Sequence, residues 1–274
     1  MDNYSVLMSV YCKAKPEHLV EAVESMLRQT VVTNDFVIVC DGPLTEELDQ
    51  VLDRFDQANP GVFQLVRLPE NVGIGAAANI GLQYCKNELI AKMDADDIAV
   101  PDRCEKQLKL FAQDPALTVS GGFIEEFSED ADKPFAIRGV PLTNDEIRRF
   151  ARRRQPFNNM TVMYRRSAVQ AVGGYRDLRR SEDYDLYLRL LHNGYVGSNL
   201  SDILVKARVN SGSLGRRGSL DTLRGCARSR GYAVKIGFSS VWDYLVCVNG
   251  ELLIMICPGF IRRFLYSTFL RQRC

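Results

Sequence analysis

The chain has 274 residues, 46% hydrophobic and 25% charged, with a formal net charge of +1. That length can bury a full core and suits one large α/β domain with an appendage. The ordinary composition and near-neutral charge exclude a disordered chain and a general polyanion binder, so nucleic acid is not an expected partner.

The eight cysteines are scattered without a C-x-x-C pair, and the chain holds only two histidines, which argues against a zinc site. No basic-then-apolar leader opens the sequence, so a reducing cytoplasm is the expected setting. The longest apolar candidate, Leu252 to Cys257, stops at Pro258, too short to span a membrane. Arginines crowd the middle of the chain, from Arg148 to Arg180, where most suit solvated helix faces and a minority could bind phosphate.

Taken in order, Tyr4 to Tyr11 reads as a buried strand, and Pro16 opens a helix through about Gln29 with Leu19, Val23, Met26 and Leu27 on one face. Phe36 to Cys40 is a second strand, closed by the turn Asp41-Gly42-Pro43. A helix from about Glu46 to Ala58 leads to a strand from Phe63 to Leu68. A glycine- and alanine-rich stretch, Asn71 to Gly81, enters the next helix, and Glu88 to Met93 is a strand. This alternation predicts an α/β fold with a mainly parallel, helix-flanked sheet whose ligands lie beyond the carboxyl ends of the strands. The Asp41 turn, the Asn71 loop and the acids after Met93 all fall at that edge.

Those acids are the densest chemical signal in the chain. Asp94, Asp96 and Asp97 occupy three of four consecutive positions, and like charges so close repel by about 1 kcal/mol or more per pair. A hard divalent cation, held by one or two carboxylates with substrate phosphates and water, relieves that repulsion; a solvated acidic turn is the plain alternative. An EF-hand loop from Asp94 fails, because Ile98 stands at its fifth position and Ala99 replaces the turn glycine. Gly73-Ile74-Gly75-Ala76-Ala77-Ala78 fits a dinucleotide fingerprint, but a ribose needs one carboxylate rather than three.

Beyond a helix from Arg103 to Phe111, strands are expected over Leu117 to Phe127, Phe135 to Val140 and Met160 to Tyr164. Thr143-Asn144-Asp145-Glu146 is a capping box that starts a short basic helix. Ser181-Glu182-Asp183 precedes a helix through His192, with Asp183 in its first turn, suited either to capping or to chemistry. The loop holding Gly212, Gly215 and Gly218 around Arg216-Arg217 either closes over an anionic ligand or is a surface turn. A main domain over residues 1–219 and a helical, increasingly apolar and basic segment over 220–274 are expected. Phe260, Ile261, Phe264 and Leu265, interleaved with Arg262, Arg263, Arg271 and Arg273, suit either an anionic membrane surface or a docked terminal helix.

Six stretches in this order resemble family 2 of the glycosyltransferases, most nearly the amylovoran, O-antigen and capsule enzymes. They are Ser5 to Tyr11, Gln29-Thr30, Val39 to Pro43, Asn71-Val72-Gly73 with Asn79 to Leu82, Met93 to Asp97, and Glu182-Asp183-Tyr184. The resemblance covers roughly residues 4 to 210. It implies a GT-A fold and inverting transfer of a hexose from a UDP-sugar donor, with an undecaprenyl-diphosphate-linked sugar as acceptor at the cytoplasmic face of the inner membrane. It further implies that Asp41 binds the base and that Asn71, Gly75 and Asn79 approach base and ribose. Asp94 and Asp96 would form a DXD element holding Mn²⁺ or Mg²⁺. Asp183 would be the general base with Glu182 beside it. Arg216 and Arg217 would grip the diphosphate, with Lys206 or Arg208 as substitutes. One departure concerns the acceptor side: where related sequences often carry histidine, this chain has Asn159, which cannot titrate. A sugar nucleotidyltransferase lacks support, because Val10-Tyr11-Cys12-Lys13 is no glycine-rich loop; a non-catalytic subunit of an assembly complex would have no need of both Asp96 and Asp183.

Overall fold

A computed structural model describes residues 3–178, 180–209 and 219–256, together with the backbone of 272–273. Its first half alternates strand and helix: β1 (Tyr4–Val10), α1 (Pro16–Leu27), β2 (Asp35–Cys40), α2 (Glu46–Ala58), β3 (Phe63–Arg67), α3 (Ile74–Tyr84) and β4 (Leu89–Asp94). β1 pairs in parallel with β2 and β4, and β2 in parallel with β3, so all four strands point their carboxyl ends to one edge. Every residue of β2 is buried, as expected of a strand covered on both faces. One apolar cluster joins α1, α2 and α4 (Arg103–Gln113) to one face of the sheet, and a second joins α3 and α7 (Glu182–His192) to the other.

Helix α3 lies unusually close to the sheet. A methyl group at Gly81 would stand 2.4 Å from Leu7 Cδ1 and 2.7 Å from Val39 Cγ2, so only glycine fits there. The close approach brings the Asn71–Gly73 loop at the start of α3 against the end of β2.

The second half departs from the parallel pattern. β4 pairs antiparallel with β8 (Met163–Arg165), which pairs antiparallel with β6 (Leu117–Phe127), and β7 (Ala136–Arg138) and the short β10 (Gln272–Arg273) extend that edge, also antiparallel. β9 (Val196–Arg208), which the apolar pattern did not reveal, runs parallel to β6 and also pairs antiparallel with β5 (Ile98–Ala99). Its first half is polar, and tertiary hydrogen bonds hold it: the Asn199 amide donates to the carbonyls of Pro141 (2.7 Å) and Pro156 (3.0 Å). The sheet is therefore mixed, parallel where the first four strands lie and mostly antiparallel beyond.

One local expectation changed at its edge and another held. The segment expected as a strand from Met160 opens instead with a 3₁₀ turn over Asn159–Thr161, because the Thr161 hydroxyl and amide both donate to the Asn158 carbonyl. The capping box at Thr143 forms with both reciprocal bonds and starts α5 (Asn144–Ala151). After α6 (Arg166–Ala171) and α7, the chain continues into α8 (Leu220–Lys235) and α9 (Val241–Ile256). α8 packs on α7 through Tyr184, Leu188 and Ala233. Among the described residues no helix is long and apolar enough to cross a membrane.

Candidate active site

A cleft of about 950 Å³ opens at the carboxyl edge of the parallel strands. The ends of β1 and β4 supply Val10 and Asp94, the turn after β2 supplies Asp41, and the loops after β3 and β4 supply Asn71, Gly73 and Asp96. Residues remote in sequence, Arg138, Met160, Arg180 and Arg208, close the far side.

Asp41 and the Asn71 loop form one unit. The buried Asp41 carboxylate accepts the backbone N–H of Val72 (2.7 Å), that of Gly73 (3.2 Å) and the side-chain amide of Asn71 (3.0 Å). Gly42, with φ of 89°, lets the chain turn beneath this contact, where a side chain would meet the Asn71 backbone nitrogen at 2.9 Å. Asp41 thus spends its acceptors on fixing the loop, and the loop's exposed side faces the cleft.

The acidic turn is braced from both sides. Gln29 accepts the Cys104 N–H (2.9 Å) and donates to the Val100 carbonyl (2.7 Å), joining the end of α1 to the segment after the acids. Arg103, fully buried, donates to the Lys92 carbonyl at 2.7 Å. Burial, then the Asp94 and Asp96 charges, push the Asp97 carboxyl well up, while the Arg208 N–H it accepts at 2.7 Å pulls it down. Asp97 is therefore the structural member of the trio, tied to β9. Asp94 and Asp96 both line the cleft. Burial raises the Asp94 carboxyl to about 6, Lys92 opposes that shift, and the Asp96 charge adds to it. A half-buried carboxyl beside a second acid at the mouth of a cleft is a place that favours a cation. Among the described residues no three His, Cys, Asp or Glu side chains form a protein-only cage. The donor set fits an ion such as Mg²⁺ or Mn²⁺, which takes one or two carboxylates and completes its shell with phosphate and water oxygens.

Lys92 links this acid pair to the second one. Its side chain is 6% exposed, its Nζ lies 3.6 Å from Asp183 Oδ1, and it stands 5.0 Å from the centre of the Tyr175 ring. Burial lowers the affinity of Lys92 for its proton, but the carboxylates of Asp183, Asp94 and Glu182 outweigh that effect, and the ammonium is held above its ordinary range. Asp183 and Glu182 open α7; neither is among the residues lining the cleft, and the Asp183 side chain is 23% exposed. Burial first, and the Asp183 charge second, raise the Glu182 carboxyl, and one Glu182 oxygen is buried without a hydrogen-bond partner.

Gly75 and Asn79 serve this second pair. A side chain at Gly75 would touch Glu182 Cβ at 3.4 Å and Tyr175 Cβ at 3.5 Å, so α3 packs directly against the acids. Asn79 exchanges two hydrogen bonds with the backbone of Tyr175, both 2.7 Å, and neither Gly75 nor Asn79 lines the cleft among the described residues. The buried Asp185–Arg189 pair, 2.8 Å apart, fixes the same segment through the Gly174 carbonyl, 2.6 Å from Arg189 Nη2. Asn159 accepts the Tyr187 hydroxyl at 2.7 Å beneath the cleft residue Met160. Arg216 and Arg217 lie outside the described residues. Of their substitutes, Arg208 lines the cleft, donates to the Asp96 carbonyl (3.1 Å) and stacks on Phe127 (4.6 Å), while Lys206 pairs with Asp132 at 3.1 Å.

Sequence reasoning gave Lys92 no role. The signal was there: a lysine between Ala91 and Met93 in a strand buried on both faces must have a partner. Arg180 was read only as one of the crowd of arginines and was not assigned to the site. It lines the cleft directly before α7 with φ of 68°, the only non-glycine residue with positive φ among those described, a conformation that costs of order 1 kcal/mol and that sequence does not announce.

Residues 5–179 match the sequence model described as Glycosyl transferase family 2. The amylovoran biosynthesis glycosyltransferase AmsE of Erwinia amylovora is 39% identical over 214 residues, covering 78% of this chain and 79% of that protein. An Escherichia coli enzyme named UDP-Gal:alpha-D-GlcNAc-diphosphoundecaprenol beta-1,3-galactosyltransferase is 30% identical over 270 residues, covering 98% of this chain and 97% of its own. Among solved structures, the mannosyltransferase PcManGT from Pyrobaculum calidifontis, in complex with GDP-Man and Mn²⁺, superposes with a TM-score of 0.64 at 15% identity, over 97% of this chain and 73% of that one. The chain belongs to glycosyl transferase family 2, and its mixed sheet has the GT-A architecture.

Proposed function

We propose that this glycosyltransferase moves a hexose, with inversion, from a UDP-sugar to a hydroxyl of a lipid-diphosphate-linked saccharide during bacterial surface polysaccharide synthesis. The observation that carries the reading is the pairing of two carboxylate sets, Asp94 with Asp96 and Asp183 with Glu182, across the single buried ammonium of Lys92. Transfer needs two things at once, a home for the negative charge that develops on the diphosphate and an acceptor for the hydroxyl proton. The first pair suits the former and the second the latter. The galactosyltransferase relative supports the donor and acceptor classes by its name, and the Mn²⁺ in the mannosyltransferase structure supports a divalent ion.

Asp94 and Asp96 would hold Mn²⁺ or Mg²⁺, which supplies Lewis-acid stabilisation of the diphosphate leaving group. Asn71 and Gly73, fixed by Asp41, line the end of the cleft where base and ribose lie. Asp183 takes the proton of the acceptor hydroxyl as that oxygen bonds to the anomeric carbon and the bond from that carbon to the diphosphate breaks. Lys92 keeps a fixed counter-ion beside the Asp183 carboxylate and within the field of Asp94, so its one positive charge reduces the repulsion between the two acid sets. Arg180, on the cleft wall, is a cation placed to meet phosphate, whereas Arg208 on the same wall is paired with Glu21 and donates to the Asp96 carbonyl. The enzyme works as a peripheral protein at the cytoplasmic face of the inner membrane, with segment 220–274 toward the bilayer. The stretch around Phe260 that sequence singled out for that contact lies outside the described residues.

A panel of UDP-sugars offered with a synthetic lipid-diphosphate-linked sugar tests the reading, with the product's anomeric configuration read by NMR. Transfer from one UDP-hexose, inverted configuration, loss in EDTA and recovery with Mn²⁺ or Mg²⁺ are expected. Retained configuration or full activity in EDTA would overturn the corresponding part of the mechanism.

A further inference from the structure

Helix α9 turns its apolar side away from the protein. Its exposed positions are 241, 242, 245, 246, 249, 252, 253 and 256, and all but Asn249 are large and apolar. At 100° per residue these positions fall within an arc of about 140°. Val241, Trp242, Leu253 and Ile256 are each more than 60% exposed. Two polar side chains point inward instead: Asp243 is buried and accepts Arg153 Nε at 2.5 Å, and the Cys247 thiol donates to the Arg153 carbonyl. A surface helix ordinarily has the reverse arrangement. An apolar stripe of this size on a protein surface marks something that covers it.

At the foot of the stripe lies a second feature. A cavity of about 440 Å³ is lined by Arg148, Arg149, Arg152 and His192, with Asp145 as its single acid, and by Gly237 and Phe238. Arg148 is held over the Phe238 ring at 5.7 Å and donates to the Leu191 carbonyl. Arg149 and Arg152 are exposed. The Ser239 hydroxyl donates to the Arg152 carbonyl at 3.2 Å, so the arginine end of α5 is fastened to the residues that lead into Val241 and Trp242.

We propose that the outward face of α9 and this arginine-lined cavity form one docking surface for an anionic phospholipid bilayer. The stripe enters the interfacial region, and the cavity takes lipid phosphates. The proposal deepens the reading of a lipid-carried acceptor and rests on it for its purpose. Charge complementarity selects the occupant: an apolar face bordered by three arginines matches acyl chains beneath a layer of phosphates. Pairing of two copies across α9 would bury the stripe but leave the arginine-lined cavity without an anion. A free phosphate would fill the cavity and leave the stripe in water.

Trp242 is the only tryptophan in the chain, so its fluorescence reports on this face alone. The full chain is titrated with vesicles of phosphatidylglycerol or phosphatidylcholine carrying bromine on the acyl chains. Quenching and a blue shift with the anionic vesicles, and little with the neutral ones, are expected. The double variant Arg149→Glu/Arg152→Glu should weaken partition by about tenfold or more, since each basic residue at such a surface contributes on the order of 1 kcal/mol. Circular dichroism confirms that the variant is folded, and Leu245→Ser/Leu253→Ser provides an independent loss through the stripe. UDP binding is measured on the same samples. Unquenched Trp242 in a protein that binds UDP overturns the docking surface alone, and quenching in a protein that ignores UDP overturns the transferase reading alone. A blue shift that grows with protein concentration without vesicles would give the face to a second copy and overturn the proposal.

Discussion

Replacing Asp41 by alanine should damage the fold and the nucleotide end of the cleft together. The carboxylate accepts three N–H groups of the Asn71–Gly73 loop, at 2.7, 3.0 and 3.2 Å, from a position only 6% exposed. Hydrogen bonds to a charged group contribute about 1.5–3 kcal/mol each, so their sum sets an upper bound. Asn71 and Val72 are exposed, and water can replace part of what they lose, which reduces the expected cost of Asp41→Ala to about 3–4 kcal/mol. For a chain of this size that corresponds to a melting temperature lower by roughly 5–7 °C. Asp41→Asn is the sharper probe. It keeps the volume and one acceptor, but its amide must face the donors of Gly73 or Asn71, so it should lose about half as much stability. Thermal unfolding followed by circular dichroism reads the first effect, and calorimetric titration with UDP reads the second. Both variants should bind UDP more weakly because the loop lining the cleft is released. An Asp41→Ala protein with unchanged melting temperature would refute the account of Asp41 as the residue that fixes this loop.

Glu182→Gln should stabilise the protein near neutral pH. Burial and Asp183 raise the folded-state affinity of Glu182 for its proton, so the folded protein binds that proton more strongly than the unfolded chain does, and stability falls as pH rises through the interval between the two. The advantage of the glutamine should shrink as pH falls toward about 4, where the unfolded-state carboxyl also takes its proton; a gain independent of pH would count against the buried-carboxylate account. Gly81→Ala places a methyl group 2.4 Å from Leu7 Cδ1 and 2.7 Å from Val39 Cγ2, and should cost about 1–3 kcal/mol in urea unfolding despite alanine's better helix propensity. A neutral or stabilised variant would mean that α3 does not press on β1 and β2 as described.

The first half of the fold was legible because its strands are buried on both faces and its helices carry clean apolar stripes, patterns that survive without tertiary information. α2 over Glu46–Ala58 and β6 over Leu117–Phe127 fall where periodicity put them. β9 was not legible, since its polar half is held by Asn199 and by pairing to β6, a contact across some 80 residues of sequence that no local pattern encodes. At the site, the acid cluster was visible as an electrostatic anomaly, but the division of labour within it was not. Asp97 is tied to the Arg208 backbone, and only the fold reveals that partner. Asn79, placed by resemblance near the ribose, is engaged in the structure with the Tyr175 backbone. The inverted polarity of α9 was present in Val241-Trp242, Leu245-Val246 and Leu252-Leu253, but a helical pattern does not say which side faces the protein.

The central claim is that Asp183 takes the acceptor proton, and Asp183→Asn tests it most directly, because the amide keeps size and hydrogen bonding while removing the base. Turnover with the best UDP-sugar and acceptor should fall by roughly 10²- to 10⁴-fold, while calorimetric affinity for UDP in the presence of Mn²⁺ stays within about a factor of two to three. Turnover near that of the unaltered enzyme would contradict the assignment of the base, and loss of UDP binding together with activity would show Asp183 to be a structural cap of α7.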